Sequence, residues 1–292
     1  MWKYYIRLAI CIILTLAFLP ASFQTQAATP DPTPEDLDTE VFFWRVKESD
    51  VPVIMYHLVT EKSQFIGKYG ITPAQLEADL IYIRDAGYTT VVMRDLIDFV
   101  ETGKKLPKKP VMLTFDDGNY SDYCYLLPLL EKYNMKAVLA IIGSATEKSS
   151  DYVEKYPVGE YPNSTWNQLR EMHESGLIEI QSHGYNLHGK AGAGKLNGES
   201  LEEYQTRLRT DLEKLQAACE LHLGHVPTAF IYPLGILGDG SREVLESLGM
   251  SGSFSCQEGK NIIRQGDKDC LFLLHRYNRP SGRSVEDILK KY

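Results

Sequence analysis

From Val51 onward, short apolar runs alternate with stretches whose apolar residues recur every three or four positions. The runs Val51–Tyr56, Thr89–Met93, Val111–Phe115, Ala137–Ile142, Ile178–Gln181 and Ala229–Tyr232 have the length and β-branched or aromatic content of strands. A helix is predicted after Thr72, which can cap it, with Pro73 at its first position. Leu76, Leu80 and Ile83 then share one face up to Gly87. Further helices are expected up to about Thr102, over 126–133, from Trp166 to Glu174, over 200–221, from Ser241 to Leu248 and from Ser284. Two more strands are expected near Gly252–Ser255 and Leu271–Leu274. Residues 144–164 and the Gly-rich 189–198 carry neither period and read as long loops that rim a cleft and set substrate choice. Strand–helix alternation at this spacing predicts a mostly parallel sheet with right-handed crossovers. About seven such units without a dinucleotide glycine fingerprint favour a single α/β domain closed into a barrel over an open doubly wound sheet.

The N-terminus follows another pattern. Lys3 and Arg7 precede an apolar run from Leu8 to Leu19, Pro20 breaks it, and Thr25-Gln26-Ala27 offers small residues for an export peptidase. Residues 1–27 read as a signal peptide whose apolar run is short for a membrane span, with an uncleaved N-terminal anchor as the alternative. Residues 28–50 read as a spacer, rich in Pro, Asp, Glu and Thr over 28–40, and the folded domain is expected over 51–292. A secreted or cell-surface location follows as an expectation.

Composition narrows the partners. The 292 residues carry a formal charge of −8, and loss of Lys3 and Arg7 with the signal would give −8 − 2 = −10. Such an acidic chain is a poor partner for nucleic acid or an anionic membrane, and is compatible with a neutral or cationic glycan. Cys124, Cys219, Cys256 and Cys270 show no CxxC or zinc-finger spacing. Cys256 and Cys270 are open to two readings, a disulfide or buried thiols.

The residues with chemical potential fall just after strands. Asp116 and Asp117 follow the run ending at Phe115; His183 and His188 follow the run ending at Gln181; Tyr232-Pro233 ends another, and His275 the last. In a parallel barrel those ends converge on one face. Two histidines and a carboxylate can hold a catalytic divalent metal with a coordination position left for water. A second carboxylate off the metal can take the proton of that water. Adjacent acids beyond a strand suit both roles, because successive side chains point in different directions.

These residues carry a resemblance. Thr114-Phe-Asp-Asp-Gly118, Ser182-His-Gly-Tyr-Asn-Leu-His188 and Phe230-Ile-Tyr-Pro-Leu-Gly235 resemble, in order, three signatures of the polysaccharide deacetylase (NodB-like) family. Pro52-Val-Ile-Met-Tyr-His57 resembles the opening strand of its small secreted members of the poly-N-acetylglucosamine deacetylase type. The resemblance spans the chain from Val51 onward. It implies a distorted (β/α) barrel of fewer than eight strands and metal-assisted removal of N-acetyl groups from an amino-sugar polysaccharide; a monomer is a separate expectation. Carried over, Asp117, His183 and His188 would hold the metal, usually zinc, with cobalt, nickel or manganese as substitutes. Asp116 would be the general base and His275 the general acid. The backbone N–H near Leu234 would stabilise the oxyanion, with Tyr232 beside it on the substrate side.

The sequence also departs from the family. The two histidines stand one residue further apart than is commonest, and Gly184 replaces a Ser or Thr. Ile231 stands where an Arg normally orients the base, which leaves Arg276 and Arg279 as candidates. His57 is expected to be structural, and His173, His222 and His225 to lie on the surface. Peptidoglycan is a second amino-sugar polymer open to the same chemistry. O-acetylated xylan is an alternative substrate, and a non-catalytic glycan-binding wall protein is an alternative of another class.

Overall fold

The computed structural model describes residues 47–155 and 162–292. The expected export segment and most of the spacer lie outside the described residues. Among the described residues, twelve strands and eight α-helices follow one another in near alternation. The strands are β1 (Glu48–Asp50), β2 (Val53–Tyr56), β3 (Leu58–Val59), β4 (Gly70–Ile71), β5 (Thr89–Val91), β6 (Pro110–Phe115), β7 (Ala137–Ile141), β8 (Ile178–Ser182), β9 (Ala229–Ile231), β10 (Gly252–Phe254), β11 (Ile262–Arg264) and β12 (Tyr277–Asn278). The helices are α1 (Pro73–Asp85), α2 (Met93–Thr102), α3 (Leu127–Tyr133), α4 (Gly143–Lys155), α5 (Trp166–Glu174), α6 (Leu201–Leu223), α7 (Ser241–Ser247) and α8 (Val285–Leu289).

The main sheet runs β10-β9-β8-β7-β6-β2-β12, with β5 also paired to β6, and all its pairings are parallel. It is the barrel expected from the alternation of elements, in the distorted form that the resemblance implies. The strands are buried on both sides, as the continuous apolar runs require. Along β6, Val111, Leu113 and Phe115 join the core under the helices, while Met112 joins a second core with Val53, Val138 and Ala140. β7 splits in the same way, Leu139 to one core and Val138 to the other.

One segment spans the gap between the two ends of the sheet. Leu274 bridges in parallel to Phe254 beside β10, and Tyr277–Asn278 pair with Ile54–Met55 of β2. The strand expected at Leu271–Leu274 is therefore displaced: Lys268–Leu271 form a 3₁₀ turn and the paired residues come later. Two other local readings change. Glu48–Asp50, expected in the spacer, pair antiparallel with Ile262–Arg264. Gly143–Lys155, expected in a loop, form α4. Among the described residues of α4, Gly143, Thr146 and Ser149 are buried, each three apart. Helical periodicity is present there, written in small hydroxyl side chains instead of aliphatic ones. Ser150 Oγ accepts from the Trp166 N–H (3.0 Å) and so ties α4 to the start of α5.

Helix ends behave as the sequence implies. Thr72, Thr165 and Ser200 each accept from the backbone N–H three residues on, and Gln75, Gln168 and Glu203 return the bond, so α1, α5 and α6 start with capping boxes. Cys124, Cys219, Cys256 and Cys270 are free thiols. Among the described residues no helix is long and apolar enough to cross a membrane.

Candidate active site and metal centre

Chain direction in a parallel barrel brings the C-terminal ends of β2, β6, β8 and β9 to one face. A cavity of about 740 Å³ opens there, lined by His57, Asp116, Asp117, His183, His188 and Leu234, among others. Donor atoms of Asp117, His183 and His188 all lie within 4.8 Å of one another, the one such cluster of three among the described residues.

The turn after β6 is built to expose two acids in succession. Asp117 has φ +78° and Gly118 φ +68°, so the chain folds back sharply. Gly118 is required for space as well, since a Cβ there would lie 3.0 Å from the Ile141 side chain. Asn163 Nδ2 donates to the Asp117 carbonyl (2.7 Å), and the Ser164 N–H donates to that of Gly118 (2.9 Å). The left-handed backbone at a non-glycine residue is thus held from outside the turn.

Each member of the cluster is fixed from behind. His183 Nδ1 lies 2.9 Å from the Ile231 carbonyl oxygen, which only an N–H can satisfy. That bond places the proton on Nδ1 and leaves the Nε2 lone pair facing Asp117 Oδ1 at 3.6 Å. His188 Nε2 approaches the same oxygen at 3.2 Å. The loop carrying His188 is tied to α6, because Asp211 accepts from the N–H groups of Tyr185 (2.6 Å) and Asn186 (2.8 Å). Gly184 has φ +84°, and a Cβ would press on Leu187 at 3.0 Å. The departure from Ser or Thr at this position follows from that backbone, and the longer spacing between the histidines is taken up in the same turn.

Asp116 is buried beneath the cluster and paired with a buried guanidinium. Arg276 Nη1 and Nη2 donate to its two oxygens at 2.7 and 2.9 Å, a bidentate pair. The remaining donors of Arg276 reach the Ser255 carbonyl (2.8 Å), Thr114 Oγ1 (3.2 Å) and Cys256 Sγ (3.5 Å). Burial alone would raise the Asp116 carboxyl, but the charges of Arg276, His183 and His57 outweigh it and hold it far below the usual carboxylate range. Arg276 thus supplies the cation missing at Ile231. Arg279, the other candidate, pairs with Asp79 instead.

Asp122 contrasts with both. It is fully buried, neither carboxylate oxygen has a hydrogen-bond partner among the described residues, and burial, then the charge of Asp117, push it well above the usual range.

Two residues expected at the site do not reach it. The Tyr232 hydroxyl lies 2.7 Å from Ser241 Oγ within a core cluster beneath α6 and α7. Its ring packs within that cluster and is not part of the cavity lining. His275 is likewise outside the cavity lining. Its backbone is clamped by Asn261, and its ring packs on Gly259, where a Cβ would come within 2.8 Å. Neighbours in extended chain point to opposite sides, so Arg276 facing into the barrel sends His275 outward.

His57, expected to be structural, lies in the cavity wall with Nε2 3.8 Å from Asp116 Oδ2 and its ring 4.7 Å from that of Tyr69. A signal for it was present: it directly follows β2, whose C-terminal end opens on the same face as β6. Trp166 is buried and stacks on His222.

The donor set fits a divalent metal. Three N and O atoms of the preferred kinds converge, one imidazole has its tautomer set by a carbonyl, and Asp117 Oδ1 is a buried atom without a hydrogen-bond partner of its own.

A parallel β/α barrel with this acid–histidine cluster at its strand ends defines a class, and the comparisons agree with it. Residues 103–253 match the family model described as polysaccharide deacetylase, and the chain belongs to that family. It is similar to the poly-β-1,6-N-acetyl-D-glucosamine N-deacetylase of Escherichia coli (strain K12), 26% identical over 277 residues that cover 88% of this chain and 40% of the relative. The chain thus spans less than half the length of that protein. Among solved structures it is similar to a de-N-acetylase from Aggregatibacter actinomycetemcomitans, with TM-score 0.70, 27% identity, and coverage of 84% of this chain and all of the other. IcaB from Ammonifex degensii superposes with TM-score 0.65 at 25% identity over 82% of this chain and 96% of the other.

Proposed function

We propose that this chain is an exported, metal-dependent hydrolase that removes N-acetyl groups from poly-β-1,6-N-acetylglucosamine. The observation that carries the reading is the division between the two adjacent acids: Asp117 joins two imidazoles, while Asp116, beside it, joins a guanidinium. The named substrate of the E. coli relative supports the choice of polymer.

In this account Asp117, His183 and His188 hold the metal, zinc by its preference for such donors. A metal bound there would supply a water of lowered pKa and a Lewis acid for the acetamide oxygen. Asp116, ionised throughout the neutral range, accepts a proton on a carboxylate lone pair that the bidentate pair with Arg276 does not engage. Arg276 fixes the plane of that carboxylate so that it is preorganised instead of mobile. The Leu234 backbone at the cavity wall is the donor assigned to the developing oxyanion. His57 takes the role of the acid that protonates the departing amine, displacing His275, because it is the remaining histidine in the wall. Residues 1–27 would direct export to the cell surface.

The test is acetate release from β-1,6-linked N-acetylglucosamine oligomers by chain stripped with a chelator and then given zinc. Release that disappears with the chelator and returns with zinc is expected. Release from acetylated xylan alone would replace the substrate, and tight glycan binding without release from any substrate would replace the enzyme by a binding protein.

A further inference from the structure

His57, Asp116 and His183 share one cavity wall, but they are held in place by different means. His183 is oriented by the bond from Nδ1 to the Ile231 carbonyl, and Asp116 by the two bonds from Arg276. His57 has no such tie. Its Nδ1 is buried without a hydrogen-bond partner among the described residues, and its Nε2 stands 3.8 Å from Asp116 Oδ2, beyond hydrogen-bond reach. An imidazole that must aim Nε2 at a departing amine therefore takes its orientation from packing.

The group that packs on it is Tyr69. His57 directly precedes β3 and Tyr69 directly precedes β4, and the two strands pair in parallel, Leu58 with Gly70 and Val59 with Ile71. One step back along that register sets His57 opposite Tyr69 with both side chains on one side. The rings meet there with centroids 4.7 Å apart and a tilt of 52°.

The turn that carries Tyr69 is braced from several elements. The Leu58 N–H donates to the Tyr69 carbonyl (3.0 Å), Asn278 Nδ2 to the Lys68 carbonyl (3.0 Å) and the Ser281 N–H to the Gly67 carbonyl (2.9 Å). Gly70 packs so closely that a Cβ would lie 2.0 Å from the Phe65 carbonyl oxygen. Yet Tyr69 is 49% exposed, so burial of its ring does not account for this bracing. The bracing fixes the place of the ring in the cavity wall, against His57.

We propose that Tyr69 is a positioning residue for His57. Its ring walls the imidazole on one side, so that Nε2 stays turned to the cavity and gives its proton to the amine nitrogen as the C–N bond breaks. An aromatic neighbour also suits the imidazolium that exists before the transfer. The proposal rests on the deacetylase reading above and on its assignment of the acid to His57.

The experiment compares two leaving groups, using the full zinc-loaded chain. The amine of a β-1,6-linked N-acetylglucosamine oligomer leaves only with a proton, whereas nitrophenolate leaves 4-nitrophenyl acetate unaided. A misplaced acid therefore slows the first reaction and spares the second. Tyr69→Leu should lower kcat for the oligomer by about tenfold with KM kept, part of the roughly 10²–10⁴ that a positioned acid is worth, and ester hydrolysis by about twofold at most. Tyr69→Phe keeps the ring and should stay within about twofold of wild type on both substrates. Melting curves check that each variant folds, which the half-exposed position favours. Equal losses on amide and ester, a raised KM with kcat unchanged, or a Tyr69→Phe variant as impaired as Tyr69→Leu would overturn the proposal while leaving the deacetylase reading intact. No release from the oligomer by the wild type would overturn that reading, and this proposal with it.

Discussion

Two buried arginine–aspartate pairs stand three residues apart on the segment that spans the sheet gap, and they do different things. Arg276 holds Asp116 at 2.7 and 2.9 Å; Arg279 holds Asp79 at 2.7 and 3.1 Å. Asp79 also accepts from the Tyr56 hydroxyl (3.2 Å) and the Val285 N–H (3.2 Å), so α1, β2, the segment after β12 and the start of α8 meet on one carboxylate. Its oxygens are used up. Burial raises the Asp79 carboxyl, and Arg279 and the other donors recover only part of that rise. At Asp116 the balance has the opposite sign, because two histidines add their charge to that of Arg276. One pair is a clasp between elements. The other holds a carboxylate ionised at the edge of a cavity.

Breaking the two pairs should separate these roles. Arg276→Met leaves Asp116 buried without its cation, and about 3–5 kcal/mol of stability should be lost in denaturant unfolding. Turnover per folded molecule should fall as well, by about a hundredfold or more as the base loses its orientation. Arg279→Met should lose a similar amount of stability, again about 3–5 kcal/mol, but the molecules that remain folded should keep a near-normal kcat. If Arg279→Met lowered kcat per folded molecule as far as Arg276→Met does, the distinction would fail.

Two histidines sharpen it further, His57 in the cavity wall and His275 next to Arg276 in sequence. His57→Gln should lower kcat by about 10²–10⁴, the usual worth of a positioned acid or base. His275→Gln should leave kcat within about twofold, since its ring packs on a loop outside the cavity. Steady-state kinetics on one oligomer decides between them, and the reverse pattern would return the acid role to His275.

A smaller effect concerns Glu179, which accepts from the N–H groups of Met93 (2.7 Å) and Arg94 (3.1 Å) at the start of α2 and is pushed up by burial to about 7. A carboxyl raised on folding binds more protons in the native state between its ordinary value and about 7, so its contribution to stability is lost as pH rises through that window. The slope is on the order of 1 kcal/mol per pH unit at most. Glu179→Gln should flatten the fall in melting temperature between pH 5 and pH 7 to that extent; an unchanged slope would remove Glu179 from the account.

Much of this was legible in the sequence. The parallel barrel followed from apolar runs alternating with helical periods, and the meeting of Asp116, Asp117, His183 and His188 followed from their places just beyond strands. What could not be read was direction. Whether His275 or Arg276 faces into the barrel depends on how the segment from Leu274 to Asn278 shifts from β10 to β2, a tertiary arrangement with no local signal. Arg276 and Arg279 were equivalent candidates for the same reason. The helix α4 was hidden because the buried residues described in it, Gly143, Thr146 and Ser149, carry no hydrophobic period. The two-residue strands β3 and β4 are too short to show any period at all.

The central claim is that the adjacent acids divide the work, Asp117 on the metal and Asp116 on the proton. Asp116→Asn tests it most directly, with bound zinc and acetate release measured on the same preparation. The account predicts zinc at the wild-type stoichiometry with turnover lowered by about 10²–10⁴. Near-normal turnover, or zinc lost together with activity, would contradict it.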